Sequence, residues 1–237
     1  MIRKLAWDSI FFRRKIGKLK ISRISLNQIN ASLKNAKEDG FKYILCKIKS
    51  QETDITKFLE SLGFYLTDIG IICALETEKF NHNTKKNSNM KKSIKIATDK
   101  DIPMLKEISK SLFLESRFYN DPFFSRKEAD NLYQTWIENS VRGQNADIVL
   151  CVPNIGFVTC KKSYKNLGEI ILIGLKKEYK GKGIGTDLME EAIRWFKTQN
   201  VKLVSVRTQL RNINAINFYL KLGFYIKEYD IIFGKIL

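Results

Sequence analysis

The sequence predicts an α/β fold of the α+β kind, and three observations predict it. Glu169–Leu175 (EIILIGL) is a nearly continuous apolar run, the pattern of a central strand buried on both faces. A glycine-rich turn follows, and then a stretch over 186–199 with Leu188, Ala192 and Phe196 on one helical face. A second strand-like run, Val201–Arg207, and a second helix-like run, Asn212–Leu222, continue the alternation of strand and helix.

The remaining elements fall into place around these. Ile94–Ala97 reads as a short strand, and Thr98 or Asp99 caps a helix over Ile102–Leu114 with Pro103 in its first turn. Ser125 or Arg126 opens a helix to about Val141, in which Tyr133, Trp136 and Ile137 read as core. Ile148–Val152 and Ile155–Cys160 form a hairpin about Pro153-Asn154, and Phe224–Lys235 closes the chain as one or two strands. A strand near the C-terminus at the sheet edge would offer a homodimer contact.

Composition bounds the function. The 237 residues are 44% apolar and 28% charged, enough for a packed core and unlike a disordered chain. No apolar run reaches the ~18 residues needed to span a bilayer. The first fifteen residues carry bases on both sides of a short apolar stretch without a small-residue cleavage site, so no signal peptide is expected and the protein reads as cytoplasmic. Cys46, Cys73, Cys151 and Cys160 form no C-x-x-C pair, and His82 is the only histidine, so zinc motifs are excluded and no metal is expected. The net charge of +17 divides as +8 over residues 1–90 and +9 over 91–237. Such an even surplus favours anionic ligands in general and lacks the single basic face of a nucleic-acid binder.

Lys79–Ser93 (KFNHNTKKNSNMKKS) is polar and Asn/Lys-rich, and it reads as a linker between a small part, residues 1–78, and a larger one, 94–237. An echo crosses it. Phe58–Tyr65 (FLESLGFY) resembles Phe218–Tyr225 (FYLKLGFY), with Gly63 falling on Gly223. The same offset places Ile71-Ile72 on Ile231-Ile232, Phe41–Lys47 on Val201–Arg207, and Leu26–Asp39 near Thr186–Gln199. The N-terminal part therefore reads as a degenerate half-copy of the C-terminal one. Its Leu59 stands where Tyr219 stands, and it lacks the glycine turn, so it is expected to be inert.

That turn carries the chemistry. In Tyr179-Lys180-Gly181-Lys182-Gly183-Ile184-Gly185-Thr186, closely spaced glycines between a strand and a helix let backbone N–H groups converge on an anion. A G-x-G-x-x-G fingerprint from Gly181 fails at Thr186, and no G-x-x-x-x-G-K-[S/T] is present. Lys180, Gly183 and Gly185 fill [Q/R]-x-x-G-x-[G/A] with Lys at the first position. This resembles the coenzyme A pyrophosphate loop of the GCN5-related N-acetyltransferases (GNAT). IKIATDKDIPMLKEI resembles the first strand and helix of that family, and Asn212-x-x-Ala215-x-x-Phe218-Tyr219-x-x-x-Gly223-Phe224 its last helix.

The resemblance implies a mixed, mostly antiparallel sheet whose central strands, 169–175 and 201–207, splay to admit acetyl-CoA. It implies backbone contacts to the coenzyme from Ile173, Gly174 and Leu175 and from the 180–186 turn, and Tyr219 as the acid that protonates the leaving thiolate. Tyr219 as plain helix packing is the other reading. Glu169 is either the general base, directly or through water, or an exposed strand-end carboxylate. Asn212 either contacts the coenzyme or caps the last helix.

Glu115–Tyr119, Leu132–Gly143 and Trp7–Phe12 are similar to a narrower branch, the dTDP-fucosamine acetyltransferases, which acetylate the 4-amino group of a dTDP-4-amino-4,6-dideoxyhexose. This implies Arg117, Phe118 and Tyr119 near the acceptor, with Arg207 and Arg211 as partners for its diphosphate. An enzyme for a protein amine or an aminoglycoside would instead carry an acidic pocket. A non-catalytic acyl-CoA-binding module would lack the acid.

Overall fold

The protein is described as a computed structural model over residues 1–21, 26–49, 55–80 and 93–237. The expected linker, 79–93, falls with His82 largely outside the described residues. The first part of the chain runs β1 (Ile2–Lys4), α1 (Ala6–Phe11), β2 (Ile16–Leu19), α2 (Leu26–Glu38), β3 (Tyr43–Lys49), α3 (Ile55–Ser61) and β4 (Tyr65–Glu76). The second runs β5 (Lys95–Ile96), α4 (Ile102–Ser109), α5 (Arg117–Asn120), α6 (Arg126–Val141), β6 (Ile148–Val152), β7 (Gly156–Lys162) and β8 (Leu167–Leu175). It ends with α7 (Ile184–Thr198), β9 (Leu203–Gln209), α8 (Ile213–Lys221) and β10 (Tyr225–Ile236).

Local chemistry sets several boundaries. Ser125 caps α6 with a reciprocal box: its Oγ accepts from the Glu128 amide at 3.3 Å, and Glu128 Oε2 accepts from the Ser125 amide at 2.8 Å. Helix α4 stops at Ser109, short of the expected Leu114. Ser111 takes a left-handed φ of 53° and donates its amide to Asp130 of α6 at 3.0 Å, which breaks the helical ladder. Phe224–Lys235 forms one strand, not two.

The ten strands of the described residues share one sheet, in the order β1-β2-β3-β10-β4-β9-β8-β7-β6-β5. Only β2–β3 and β8–β9 pair in parallel, so the sheet is mixed and mostly antiparallel. It runs without interruption across the expected division of the chain. The C-terminal strand is not an edge: β10 lies between β3 and β4, and the edges are β1 and β5. The expected dimer contact through a C-terminal edge is therefore corrected, because both rows of backbone groups on β10 are already paired within the chain.

The offset that carries Gly63 onto Gly223 is built into the pairing. Shifted by it, β3 falls on β9 and β4 falls on β10. Ile231 pairs with Ile48 where β10 meets β3, and Ile71 with Thr208 where β4 meets β9, so the two registers are equivalent. Between them β4 and β10 pair antiparallel, with Gly70 opposite Asp230, themselves one offset apart. A pseudo-two-fold axis passes through that pair, and each half lends its last strand to the other.

Strand alternation divides the packing into two layers. On one face, Ile44, Cys46, Ile48 and Phe233 pack with Ile29, Leu33 and Leu59, while Val204, Val206, Ile71 and Cys73 pack with Leu188, Ala192, Phe196 and Tyr219. On the other, Tyr43, Leu45, Leu172 and Ile232 pack with Phe12, Leu105, Leu132, Tyr133 and Ile137 from α1, α4 and α6. Asp121 ties the halves together there: its carboxylate accepts from Tyr43 Oη and from Tyr65 Oη, the latter at 2.9 Å.

Candidate active site

Strands β8 and β9 separate where the sequence places the chemistry. They pair from Leu167–Leu203 to Ile170–Val206, and the pairing ends there although β8 runs on to Leu175 and β9 to Gln209. A bulge accompanies the parting. The β7–β8 register passes from Cys160↔Ile170 to Thr159↔Leu172 and leaves Ile171 without a partner, which bends β8. Beyond the bulge the Leu172 amide donates to Thr159 Oγ1 and the Lys176 amide to Ile155 O, each at 2.9 Å toward the β7 side. By alternation, Ile173 and Leu175 turn their N–H groups to the open side. Gly174 does not: its amide faces β7, and a Cβ there would overlap Leu112. The expected backbone contact from Gly174 is thereby corrected to a packing role.

The glycine turn stands at the mouth of this gap. Gly181 and Gly183 have φ of 77° and 84°, a left-handed conformation that L side chains rarely adopt. A Cβ on either would meet nothing within 4 Å, so the space above the turn is open. Gly183 caps α7 without a side chain, and the first-turn N–H groups of Ile184, Gly185 and Thr186 have no carbonyl one turn back to bond. Ile184 is buried beneath, whereas Lys180 and Lys182 are exposed, with Lys182 Nζ 5.3 Å from the centre of the Tyr179 ring. An anion seated here meets free amides, two ammonium groups and the positive end of α7.

A cleft of about 270 Å³ passes through the opening. Tyr219, Ala215 and Asn212 line it from α8, on one side of the sheet. Arg117, Phe113, Phe118, Tyr133 and Trp136 line it from the other, and Glu169 and Arg207 from the parting strands. A larger hollow of about 490 Å³ between α1 and α6 shares none of these residues. Tyr219 is buried, and desolvation, with the Cys73 thiol nearby, pushes its phenol well above the ordinary value of 10, so it holds its proton at neutral pH. Asn212 takes the capping alternative: its Oδ1 accepts from the Ala215 amide at 3.2 Å. Glu169 is exposed and lies in register with Ser205, two positions before Arg207.

The three arginines expected at the acceptor differ in their surroundings. Arg117 lines the cleft, stacks over Phe118 at 4.1 Å, and has no carboxylate within ion-pair distance among the described residues. Arg207 grips Asp230 through Nη2 at 2.7 Å and Nε at 3.2 Å, and Nη1 lies 3.9 Å from Asp68. Two buried carboxylates thus balance its charge, and the expectation of a free diphosphate partner is corrected. Arg211 donates to Thr67 O at 3.5 Å and lies outside the cleft lining. Tyr119 is corrected too: its Oη donates to Asp130 at 2.6 Å, turned away from the cleft. Phe118 and Tyr133 are buried in the wall, and Trp136, expected in the core, reaches the cleft.

Sequence reasoning did not find Asp68. It sits on β4, in the half expected to be inert, yet it lines the cleft. Burial pushes its carboxyl up, against the pull of Arg207, Arg211 and Arg117. No local motif marks it.

Residues 110–224 match the Acetyltransferase (GNAT) family. Streptothricin acetyltransferase A of Bacillus subtilis is 31% identical over 119 residues, covering 50% of this chain and 67% of that protein. The chain belongs to the GNAT acetyltransferase family. dTDP-fucosamine acetyltransferase of Escherichia coli is 26% identical over 185 residues, covering 76% of this chain and 75% of that one. Spore coat polysaccharide biosynthesis protein SpsD of B. subtilis is 29% identical over 126 residues, 52% of this chain but only 44% of that protein. A GCN5-related N-acetyltransferase from Sphaerobacter thermophilus shares the fold with a TM-score of 0.64 at 12% identity, covering 94% of this chain and 73% of that one. GNAT acetyltransferases use acetyl-CoA, and the open glycine turn and the parted strands fit that donor. No helix among the described residues is long and apolar enough to cross a membrane.

Proposed function

We propose that the protein transfers the acetyl group of acetyl-CoA to the 4-amino group of a dTDP-4-amino-4,6-dideoxyhexose, within a ternary complex, for surface polysaccharide assembly. One observation carries the reading: the likeness to dTDP-fucosamine acetyltransferase extends over 185 residues, well beyond the 110–224 segment common to the family. Arg117 in an aromatic-walled cleft supports it, since an unpaired guanidinium suits a diphosphate and flat aromatic walls suit a sugar or base.

Acetyl-CoA supplies an activated thioester. The 180–186 turn holds its pyrophosphate, with Lys180 and Lys182 adding charge. The amides of Ile173 and Leu175 align the pantetheine arm and polarise the acyl carbonyl. Glu169 takes the proton of the acceptor amine, directly or through water. The amine nitrogen bonds to the acyl carbon, the carbon–sulfur bond breaks, and Tyr219 gives its proton to the departing thiolate. No cysteine intermediate enters, because burial pushes the Cys73, Cys151 and Cys160 thiols up and away from thiolate. In this reading residues 94–237 are the catalytic unit, and residues 1–78 are a half-copy acquired by duplication. The donor and acceptor are cytoplasmic metabolites, and the same proposal assigns the enzyme to that compartment.

A second reading has its own support. Two of the three expected arginines are withdrawn, Asp68 and Glu169 face the cleft, and streptothricin acetyltransferase A is a relative. A cationic small amine suits such a cleft. Release of CoA thiol from acetyl-CoA separates the two. The panel holds dTDP-4-amino-4,6-dideoxygalactose, its gluco epimer, streptothricin, an aminoglycoside and a peptide N-terminus. Selective release with a nucleotide sugar supports the first reading, and release only with another amine overturns it.

A further inference from the structure

The half-copy contributes to the cleft. Strand pairing puts Glu169, Ser205, Arg207, Gly70, Asp68, Asp230 and Lys47 on the same face of the sheet, a polar stripe beneath α5 and α6. Most of this stripe is internally satisfied. Lys47 and Arg207 both bind Asp230, and a Cβ on Gly70 would overlap the Arg207 guanidinium. Asp68 is less well served. Its side chain is 3% exposed, and its one ion pair among the described residues is with Arg207 Nη1 at 3.9 Å, beyond hydrogen-bonding distance. The side-chain donors of Arg207 that do bond, Nε and Nη2, are turned to Asp230. The adjacent Ile69 amide offers Asp68 one donor, whereas a carboxylate has room for about four. A carboxylate taken out of water needs such donors, and the free space beside Asp68 is the cleft.

We propose that Asp68 binds the acceptor, accepting a hydrogen bond from a hydroxyl next to the reacting amine, so that the N-terminal half sets acceptor specificity. The partner is a hydroxyl and not the amine itself, because an amine held by a carboxylate as ammonium has no lone pair with which to attack. A sugar that carries its amine beside a hydroxyl meets this requirement. This rests on the reading that the cleft takes the acceptor, and it holds for any amino alcohol the panel identifies.

The test is steady-state kinetics of Asp68→Asn with the best acceptor of the panel and with that acceptor lacking the neighbouring hydroxyl. Asp68→Asn is expected to raise the acceptor KM about tenfold or more, the loss of one charged hydrogen bond, with kcat within about threefold and the acetyl-CoA KM unchanged. The wild type should discriminate against the deoxy acceptor by a similar factor, and Asp68→Asn should not. Asp230→Asn is the control, since it also removes a partner of Arg207 but lies outside the cleft lining. An unchanged acceptor KM, undiminished discrimination, or the same change in Asp230→Asn overturns the proposal. If Asp68→Asn does not fold, Asp68→Glu carries the test: it keeps the charge and moves the oxygens, so a changed discrimination supports the role and an unchanged one overturns it. Failure of the nucleotide sugars as substrates overturns the acceptor proposed above and leaves this measurement to be made with the amine that reacts.

Discussion

Lys47 and Arg207 come from opposite halves of the chain and close on one carboxylate: Lys47 Nζ lies 2.8 Å from Asp230 Oδ2, and Arg207 Nη2 lies 2.7 Å from Asp230 Oδ1. They are equivalent positions of the two halves, on β3 and β9, separated by the same offset that relates Gly63 to Gly223. Asp230 sits beside the pseudo-two-fold axis, opposite Gly70, where its own equivalent would stand. One carboxylate serves both cations, and the missing side chain at Gly70 leaves the room Arg207 needs. The two halves pair in equivalent registers, and this one asymmetry joins them.

Asp230→Asn is expected to lower the unfolding free energy by about 1–2 kcal/mol at neutral pH, because it leaves the half-buried Arg207 with only Asp68 at 3.9 Å and releases the exposed Lys47. Burial pushes the Asp230 carboxyl up, but the Arg207 and Lys47 contacts outweigh it and hold the group below its ordinary value of 3.8. Its stabilising contribution is therefore present above pH 3.8 and lost as the pH falls through the lower folded value. Asp68, held above the ordinary value, has the opposite sign. Urea unfolding of wild type and Asp230→Asn at pH 7 and pH 3 checks this: the gap between them should narrow at the lower pH.

Tyr219→Phe is expected to reduce kcat by about 100-fold while acetyl-CoA binding persists. The phenol keeps its proton at neutral pH, so wild-type turnover should show no falling limb from this group below pH 10. Calorimetry with acetyl-CoA and a pH–rate profile measure the two effects. Unchanged turnover would leave Tyr219 as helix packing.

Gly183→Ala forces a side chain into φ of 84° and places a methyl group in the open space above the turn. A stability loss of about 1–2 kcal/mol is expected from the backbone, with coenzyme affinity falling further than that strain accounts for. Thermal unfolding with and without acetyl-CoA separates the terms: the variant should unfold cooperatively but gain little from added coenzyme.

Glu169→Gln is expected to lower kcat/KM about tenfold or more and to change its pH profile if the carboxylate receives the amine proton, because a neutral amide is a far weaker base. Acetyl-CoA KM should stay constant. A profile identical to wild type assigns the proton to water.

The glycine turn, the buried strand β8 and the last helix were legible because each is a local pattern: φ-permissive residues in sequence, an apolar run, a helical repeat that carries Tyr219; the parting of the strands was implied only by the family resemblance. Arg207 and Arg211 misled because an arginine's partner is chosen across strands. Asp230 reaches Arg207 from the following strand and Asp68 from the other half of the chain, and neither belongs to a motif. Tyr119 misled for the same reason, since Asp130 reaches it from α6. Helix α4 ended early through a hydrogen bond from Ser111 to that same Asp130.

By itself the sequence determined most of the elements and the glycine turn between β8 and α7, because backbone conformation and amphipathic period are written in neighbouring residues. Only the tertiary structure decided that β10 enters between β3 and β4, that one carboxylate is shared by Lys47 and Arg207, and that Asp68 of the N-terminal half lines the cleft. Those outcomes depend on which distant strands can pair while burying both faces of the sheet. That is a property of the whole packing, and no local stretch of sequence carries it.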